Sequence, residues 1–235
     1  MTRPQGVHHL ALSTGNMKAQ LAFFTEVLGM ELVALFWMHG VKGAWHSFLK
    51  LNDQCFLSFV HMPAMSGLVR EVGVTHPPHA GGASAGGTMH HLSLRVKDEA
   101  ELMQMRDRIR AHGVPVFGHL EHGMCKSIYF SGPEGLNLEV ACHGELEPGA
   151  WLDPEVIALC GISDDELARM TSPPPFVPSA TPIQQPAFDA DKPHPIYPEH
   201  IYEKMLRMPD VEYTARFSEP TSPRELRERQ KAATS

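Results

Sequence analysis

The chain has 235 residues, a formal net charge of −7, 43% hydrophobic residues and no run of lysine or arginine. That balance speaks against nucleic acid as a partner, and no apolar run approaches the ~20 residues of a membrane span. The start, MTRPQGVHHL, has no apolar signal region, so a cytoplasmic protein with no membrane partner is expected. Cys55, Cys125, Cys142 and Cys160 are scattered without a CxxC pair, which gives no disulfide framework. Fifteen histidines are many, and they point toward metal or acid–base work.

In chain order, VHHLALST (7–14) reads as a strand. GNMKAQLAFFTEVLG follows, with Leu21, Phe24 and Leu28 near helical spacing and Gly29 as a C-terminal cap. MELVALFWM, AWHSFLKL and CFLSFVHM then read as three strands. VTHPPHAGGASAGGT (74–88) is a Gly/Pro-rich linker loop, long enough to be mobile or functional. The pattern then repeats. MHHLSLRV is a strand. KDEAELMQMRDRIRAHG is a helix with Asp98 as N-cap, an apolar face of Leu102, Met105 and Ile109, and Gly113 at its end. VPVFGHL, KSIYFSG and LNLEVACH are three more strands, the last two joined by a turn at GPEG (132–135).

The expected fold class is therefore α+β: two βαβββ modules, 5–73 and 89–143, joined by the 74–88 loop, in one mixed-sheet domain. Residues 144–235 hold 14 of the 20 prolines and form a Pro-rich extension. Short helices are expected there at 154–160, 164–170 and 199–207. TSPPPFVPSATPIQQPAFDADKPHP cannot form a core of its own. Trp151, Phe176, Phe188, Tyr197, Ile201 and Tyr202 suggest that the extension packs on the domain or on a partner subunit, in a homo-oligomer. The charged end, PRELRERQKAATS, is expected to fray.

Strand neighbours alternate faces, so the members of each His-His pair are expected to point opposite ways. The side shared by His9 and His91 is the smaller and more polar one and suits a lined cavity. His8 and His90 are left at the strand starts, near solvent. Glu139 lies between Leu138 and Val140, and a carboxylate in an apolar strand is costly unless it is paired or bound to a cation. His9, His91 and Glu139 would form a two-His, one-carboxylate set, the pattern of non-haem Fe(II) oxygen chemistry. Trp45, Phe48, Phe56, Phe59, Phe117 and Phe130 are candidate pocket walls, though most suit an ordinary core.

The duplicated module resembles the vicinal oxygen chelate superfamily over roughly residues 5–143. That superfamily includes glyoxalase I, bleomycin-resistance proteins, methylmalonyl-CoA epimerase and extradiol dioxygenases. HGMCKSIYFSGPEGLNLE (122–139) is similar to the extradiol dioxygenase signature at His122, Ile128, Tyr129, Pro133, Gly135 and Glu139, and departs from it at Leu120 and Gly132. The resemblance implies a metal-cupping sheet and an Fe(II)-dependent extradiol dioxygenase that cleaves a small aromatic diol with O2; Mn(II), Zn(II) or Ni(II) are alternative metals. It implies His9, His91 and Glu139 as metal ligands, Tyr129 as a donor to the bound diol, and His122 as a pocket histidine. It also implies an acid–base histidine in the linker, where His76 fits better than His79. One rival is a metal-dependent isomerase, epimerase or lyase of the glyoxalase type. Such a four-ligand site would need a donor at about Ser58, or His61 after a register slip. The other rival is a non-catalytic, resistance-type binding protein.

Overall fold

The computed structural model describes residues 3–234. Two four-stranded mixed sheets form, each with the same order. In the first, β1 (His9–Ser13) pairs in parallel with β4 (Cys55–His61), followed by β3 (Trp45–Asn52) and β2 (Glu31–Trp37). In the second, β5 (Leu92–Arg95) pairs in parallel with β8 (Asn137–His143), followed by β7 (Cys125–Ser131) and β6 (Phe117–Glu121). The register confirms the duplication residue by residue: Ala11 faces Ser58 in the first sheet, and Ser93 faces Glu139 in the second.

Each module places one helix between its first two strands. In the first, α1 (Met17–Ala22) is capped by Asn16, whose side chain accepts from Ala19 N, and it runs on as a π-helical turn over Phe23–Val27. In the second, α2 (Glu99–Ala111) begins at Asp98, whose carboxylate accepts from Glu101 N at 3.0 Å. Gly29 and Gly113, with φ of 77° and 78°, take the left-handed conformation that ends each helix. Leu102 and Ile109 of α2 are fully buried, as is Phe24. Burying each such side chain contributes roughly 1.5–3 kcal/mol.

The two modules share one core. Phe23 stacks on Phe130 at 6.4 Å, and Phe24 lies against Phe59 at 5.2 Å. Arg108 of α2 donates to the carbonyls of Val27 (2.7 Å) and Glu26 (2.8 Å), which are left without helical partners at the end of the first helix. Glu134, in the turn between β7 and β8, accepts from Thr14 Oγ1 (2.5 Å), Gly15 N (2.9 Å) and Gln20 Nε2 (2.8 Å). This carboxylate binds the turn of one module to the strand end and helix of the other.

By its contacts the chain divides into two compact units, Pro4–Phe36 with Gly43–Pro174, and Trp37–Lys42 with the residues from Pro175 onward. In the extension, α3 (Pro154–Leu159), α4 (Asp164–Thr171) and α5 (Glu199–Arg207) form where short helices are expected, and α6 (Asp210–Phe217) follows them. The charged end is α7 (Pro223–Thr234), not a frayed tail. Ser222 and Glu225 cap it reciprocally, Glu225 N donating to Ser222 Oγ and Ser222 N to the Glu225 carboxylate. No residue described after His143 is buried.

Candidate functional site

The β7–β8 pairing sets Tyr129 directly opposite Glu139, so both side chains rise from the same face of the sheet. Glu139 is only 5% exposed. Tyr129 Oη donates to Glu139 Oε1 at 3.3 Å, and His122 Nε2 stands 3.0 Å from the Tyr129 oxygen. Burial, and then the Glu139 charge, push the Tyr129 phenol above its ordinary pKa. The phenol therefore keeps its proton and donates it in the hydrogen bond to Glu139, and His122 Nε2 must be the donor in its own contact with the phenol. His91, just before β5, brings Nε2 to 3.0 Å from the second carboxylate oxygen, Oε2.

His90 meets His91 at Nδ1 to Nδ1, 2.8 Å, and its Nε2 lies 2.9 Å from the Gly82 carbonyl. The rings do not point opposite ways as strand alternation would have them. His90 and His91 both precede β5, and His8 precedes β1, so the pleat does not bind either pair. His8 and His9 repeat the contact at 2.9 Å. Counting protons shows what the second pair demands. The three contacts Gly82–His90, His90–His91 and His91–Glu139 need three protons, and two neutral imidazoles supply two. One further positive charge, a proton on His91 or a metal ion between His91 and Glu139, makes up the deficit.

That gap fits a divalent metal ion. Two ligands at right angles about an ion with bonds of about 2.1 Å stand about 3.0 Å apart, which is the separation of His91 Nε2 and Glu139 Oε2. His91 with its other nitrogen hydrogen-bonded matches the second contact that ligating histidines make. His9 lies in a cluster of the first module, with its ring centroid 5.3 Å from Phe48 and 6.4 Å from His46. Among the described residues no group of three or more His, Cys, Asp or Glu side chains is arranged to hold a metal. The structure thus brings together His91, Glu139, Tyr129 and His122; among the described residues His9 makes no hydrogen bond or ring contact with them.

Ser58, the register equivalent of Glu139, donates to the Ser47 carbonyl at 2.7 Å and contacts His46 Nε2. Burial, and then His9, lower the His46 pKa, which keeps that ring neutral. His61 is engaged elsewhere, its Nδ1 2.8 Å from the Thr14 carbonyl and its ring stacked on Trp45. The Ser58 hydroxyl is thus committed within the first module and is not offered as the fourth donor of a closed site. Of the candidate walls, Phe59 and Phe130 are core, Phe48 lines the His9 cluster, and Phe117 is 73% exposed.

A cavity of about 380 Å³ opens where β1 ends and β5 and β8 begin. His76, Arg70, Met89, His90, Glu134 and Asn137 are among its walls. Asn137 precedes Glu139 by two residues on the same strand face, a step of about 7 Å. The linker is tied down here: Asn137 Nδ2 donates to the Pro77 carbonyl at 2.7 Å, and Ala85 N to the Val74 carbonyl at 3.1 Å. His79 is turned to a local backbone contact, its Nδ1 accepting from Gly81 N at 3.2 Å. Sequence reasoning missed His46, Arg70 and the ring contact of His90. His46 and Arg70 sit in no motif, and the ring contact of His90 depends on the backbone before β5, so only the paired register or the folded loop places them.

The family model described as Glyoxalase/Bleomycin resistance protein/Dioxygenase superfamily matches residues 6–140. An iron-dependent extradiol dioxygenase of Rhodococcus jostii (strain RHA1) is 26% identical over 172 residues, covering 68% of this chain and 50% of that protein. A putative ring-cleaving dioxygenase, MhqA, of Bacillus subtilis (strain 168) is 31% identical over 91 residues, covering 39% of this chain and 25% of that protein. The chain spans half or less of the length of these curated relatives. A solved glyoxylase/bleomycin resistance protein/dioxygenase domain from Frankia sp. EAN1pec aligns with a TM-score of 0.47 at 15% identity, over 60% of this chain and 99% of that one. No described helix is long and apolar enough to cross a membrane. The duplicated βαβββ sheets and a family match over more than half of the chain lead to one conclusion: this chain belongs to the glyoxalase/bleomycin resistance/dioxygenase superfamily.

Proposed function

We propose that the protein is an Fe(II)-dependent extradiol dioxygenase acting on a small aromatic diol. The observation that carries this reading is the buried Glu139, joined through one oxygen to His91 and through the other to Tyr129. The dioxygenase names of the two curated relatives support it. His91 and Glu139 would hold the ion, with His9 as the third ligand. When bound, iron brings diol and dioxygen together and passes electron density between them.

The chain's own groups handle the protons and the orientation. The Tyr129 hydroxyl stays protonated and serves as a donor to an oxygen of the bound diol. His122 Nε2–H holds the phenol oxygen in place. In the linker, Thr75 Oγ1 donates to the Glu71 carbonyl at 3.1 Å, so the 3.0 Å contact of His76 Nδ1 with Thr75 Oγ1 is donated by the ring. His76 Nε2 is then left as a bare lone pair among the cavity walls, which supports reading it as the group that accepts a proton from the diol. We further propose that the protein works as a homo-oligomer.

Oxygen uptake tests this reading. The full chain, loaded anaerobically with Fe(II), is given a panel of substituted catechols in air while visible absorbance is followed. Uptake with a coloured ring-opened product is expected, and it is lost in His91→Ala and Glu139→Ala. Stoichiometric metal binding without uptake on any diol would instead favour isomerase or lyase chemistry.

A further inference from the structure

Two nitrogens converge at the turn after β7. A Cβ built on Gly135 would lie 2.8 Å from Arg70 Nη1 and 3.2 Å from His76 Nε2, so these nitrogens are within about 6 Å of each other. A side chain at this position would push both nitrogens aside, and its φ of 70° favours glycine independently. Both nitrogens belong to walls of the 380 Å³ cavity, a size suited to a small molecule. Met65, Leu68, Met89 and Leu136 supply its apolar side.

Arg70 is the cation of this cavity without a close partner. Its side chain makes no ion pair and no hydrogen bond among the described residues. The nearby carboxylate, Glu134, is already engaged by Thr14, Gly15 and Gln20. A guanidinium presents a planar fork of donors that matches a carboxylate. An arginine left open beside an apolar wall is therefore set to receive an anionic group on a mostly apolar molecule.

We propose that the substrate of this site is a diol carrying a carboxylate, on the ring or on a short side chain, with Arg70 clamping the carboxylate. The proposal rests on the dioxygenase reading for the diol and on the cavity alone for the anion. His76 serves a different group of the same molecule: within about 6 Å of Arg70, its Nε2 faces the hydroxyl end while the guanidinium takes the acid. Asn137, in the same cavity wall, leads along β8 to Glu139, so the cavity and the His91–Glu139 pair share one strand face.

The test separates the two layers. Binding of benzoate, phenol and inorganic phosphate to the full chain is measured by calorimetry, and oxygen uptake by the Fe(II)-loaded protein is compared for 2,3-dihydroxybenzoate, 3,4-dihydroxybenzoate and 4-methylcatechol. Benzoate is expected to bind, at least tenfold more tightly than phenol or phosphate. Arg70→Gln is expected to weaken benzoate at least tenfold, and to lower the preference in kcat/KM for a dihydroxybenzoate over 4-methylcatechol by a similar factor. Gly135→Ala, whose new methyl group meets Arg70, should weaken benzoate too, with the fold of both variants checked by thermal melting. Cleavage of 4-methylcatechol with no benzoate binding, or with benzoate binding that Arg70→Gln leaves untouched, would overturn the proposal and spare the dioxygenase reading. Benzoate binding that depends on Arg70, with no diol consuming oxygen, would keep the anion site and remove the dioxygenase reading. Tighter binding of phosphate than of benzoate would also overturn the proposal.

Discussion

His90 is placed to orient His91. Its Nε2 is fixed by the Gly82 carbonyl, so a neutral His90 offers a bare Nδ1, and the Nδ1–H of His91 fills it. This leaves His91 Nε2 free to ligate. Loss of such a contact commonly costs metal affinity by a factor of about 10–100. His90→Ala is expected to weaken Fe(II) or Zn(II) by that factor in competition with a chelator of known affinity. His8→Ala makes the same test of His9, because the first module repeats the contact. Equal losses in both variants would place His9 on the metal, and an effect in His90→Ala alone would leave it off. At this scale Glu139 was legible as a carboxylate inside an apolar strand, whereas Tyr129 and His122 came only with the resemblance carried by HGMCKSIYFSGPEGLNLE; that Tyr129 stands opposite Glu139 is a matter of strand register. Arg70 and the His90 ring contact were not legible, since they depend on how a Gly/Pro-rich loop folds back over the sheet. The relation of His9 to His91 likewise depends on how two modules meet, which strand periodicity does not determine.

Among the elements, the turn after β7 does more than reverse the chain. Burial alone would push the Glu134 carboxyl up, but the bonds from Thr14, Gln20 and Gly15, with the Arg70 charge, outweigh it and hold the carboxyl below its usual range. A carboxyl depressed in the folded state stabilises the fold above its unfolded pKa, and that stability is lost as pH falls through the folded value. Glu134→Gln, which leaves the backbone conformation as it is, should therefore cost about 1–3 kcal/mol near neutral pH. The gap from the parent protein should close well below about pH 4, and urea denaturation across that range measures it. Elements were the most legible level. The segments AWHSFLKL and CFLSFVHM become Trp45–Asn52 and Cys55–His61, because short apolar runs rich in aromatic residues and bounded by turns leave little choice. α7 was missed because its charge masked the reciprocal Ser222–Glu225 cap, a signal present in the sequence.

For the whole molecule, the outer strand of each sheet is left apolar. Val33 and Leu35 of β2 are 44% and 52% exposed, and Phe117 of β6 is 73% exposed. Open strand edges with apolar side chains are places where a second chain adds on. In the homo-oligomer we propose, the double variant Leu35→Lys, Phe117→Lys is expected to shift the particle to a smaller mass in light scattering, and an unchanged mass would overturn these edges as its contact. The extension after His143 has the composition its prolines announce: short capped helices, aromatic pairs such as Tyr197 on Tyr202, and nothing buried. The duplication itself has an unequal outcome. Ser58 stands where Glu139 stands, so only one copy of the module carries a buried acid on this strand. Two halves that share a backbone plan are thus unequal in charge, and a duplicated frame has been kept while one of its copies has no carboxylate at that position.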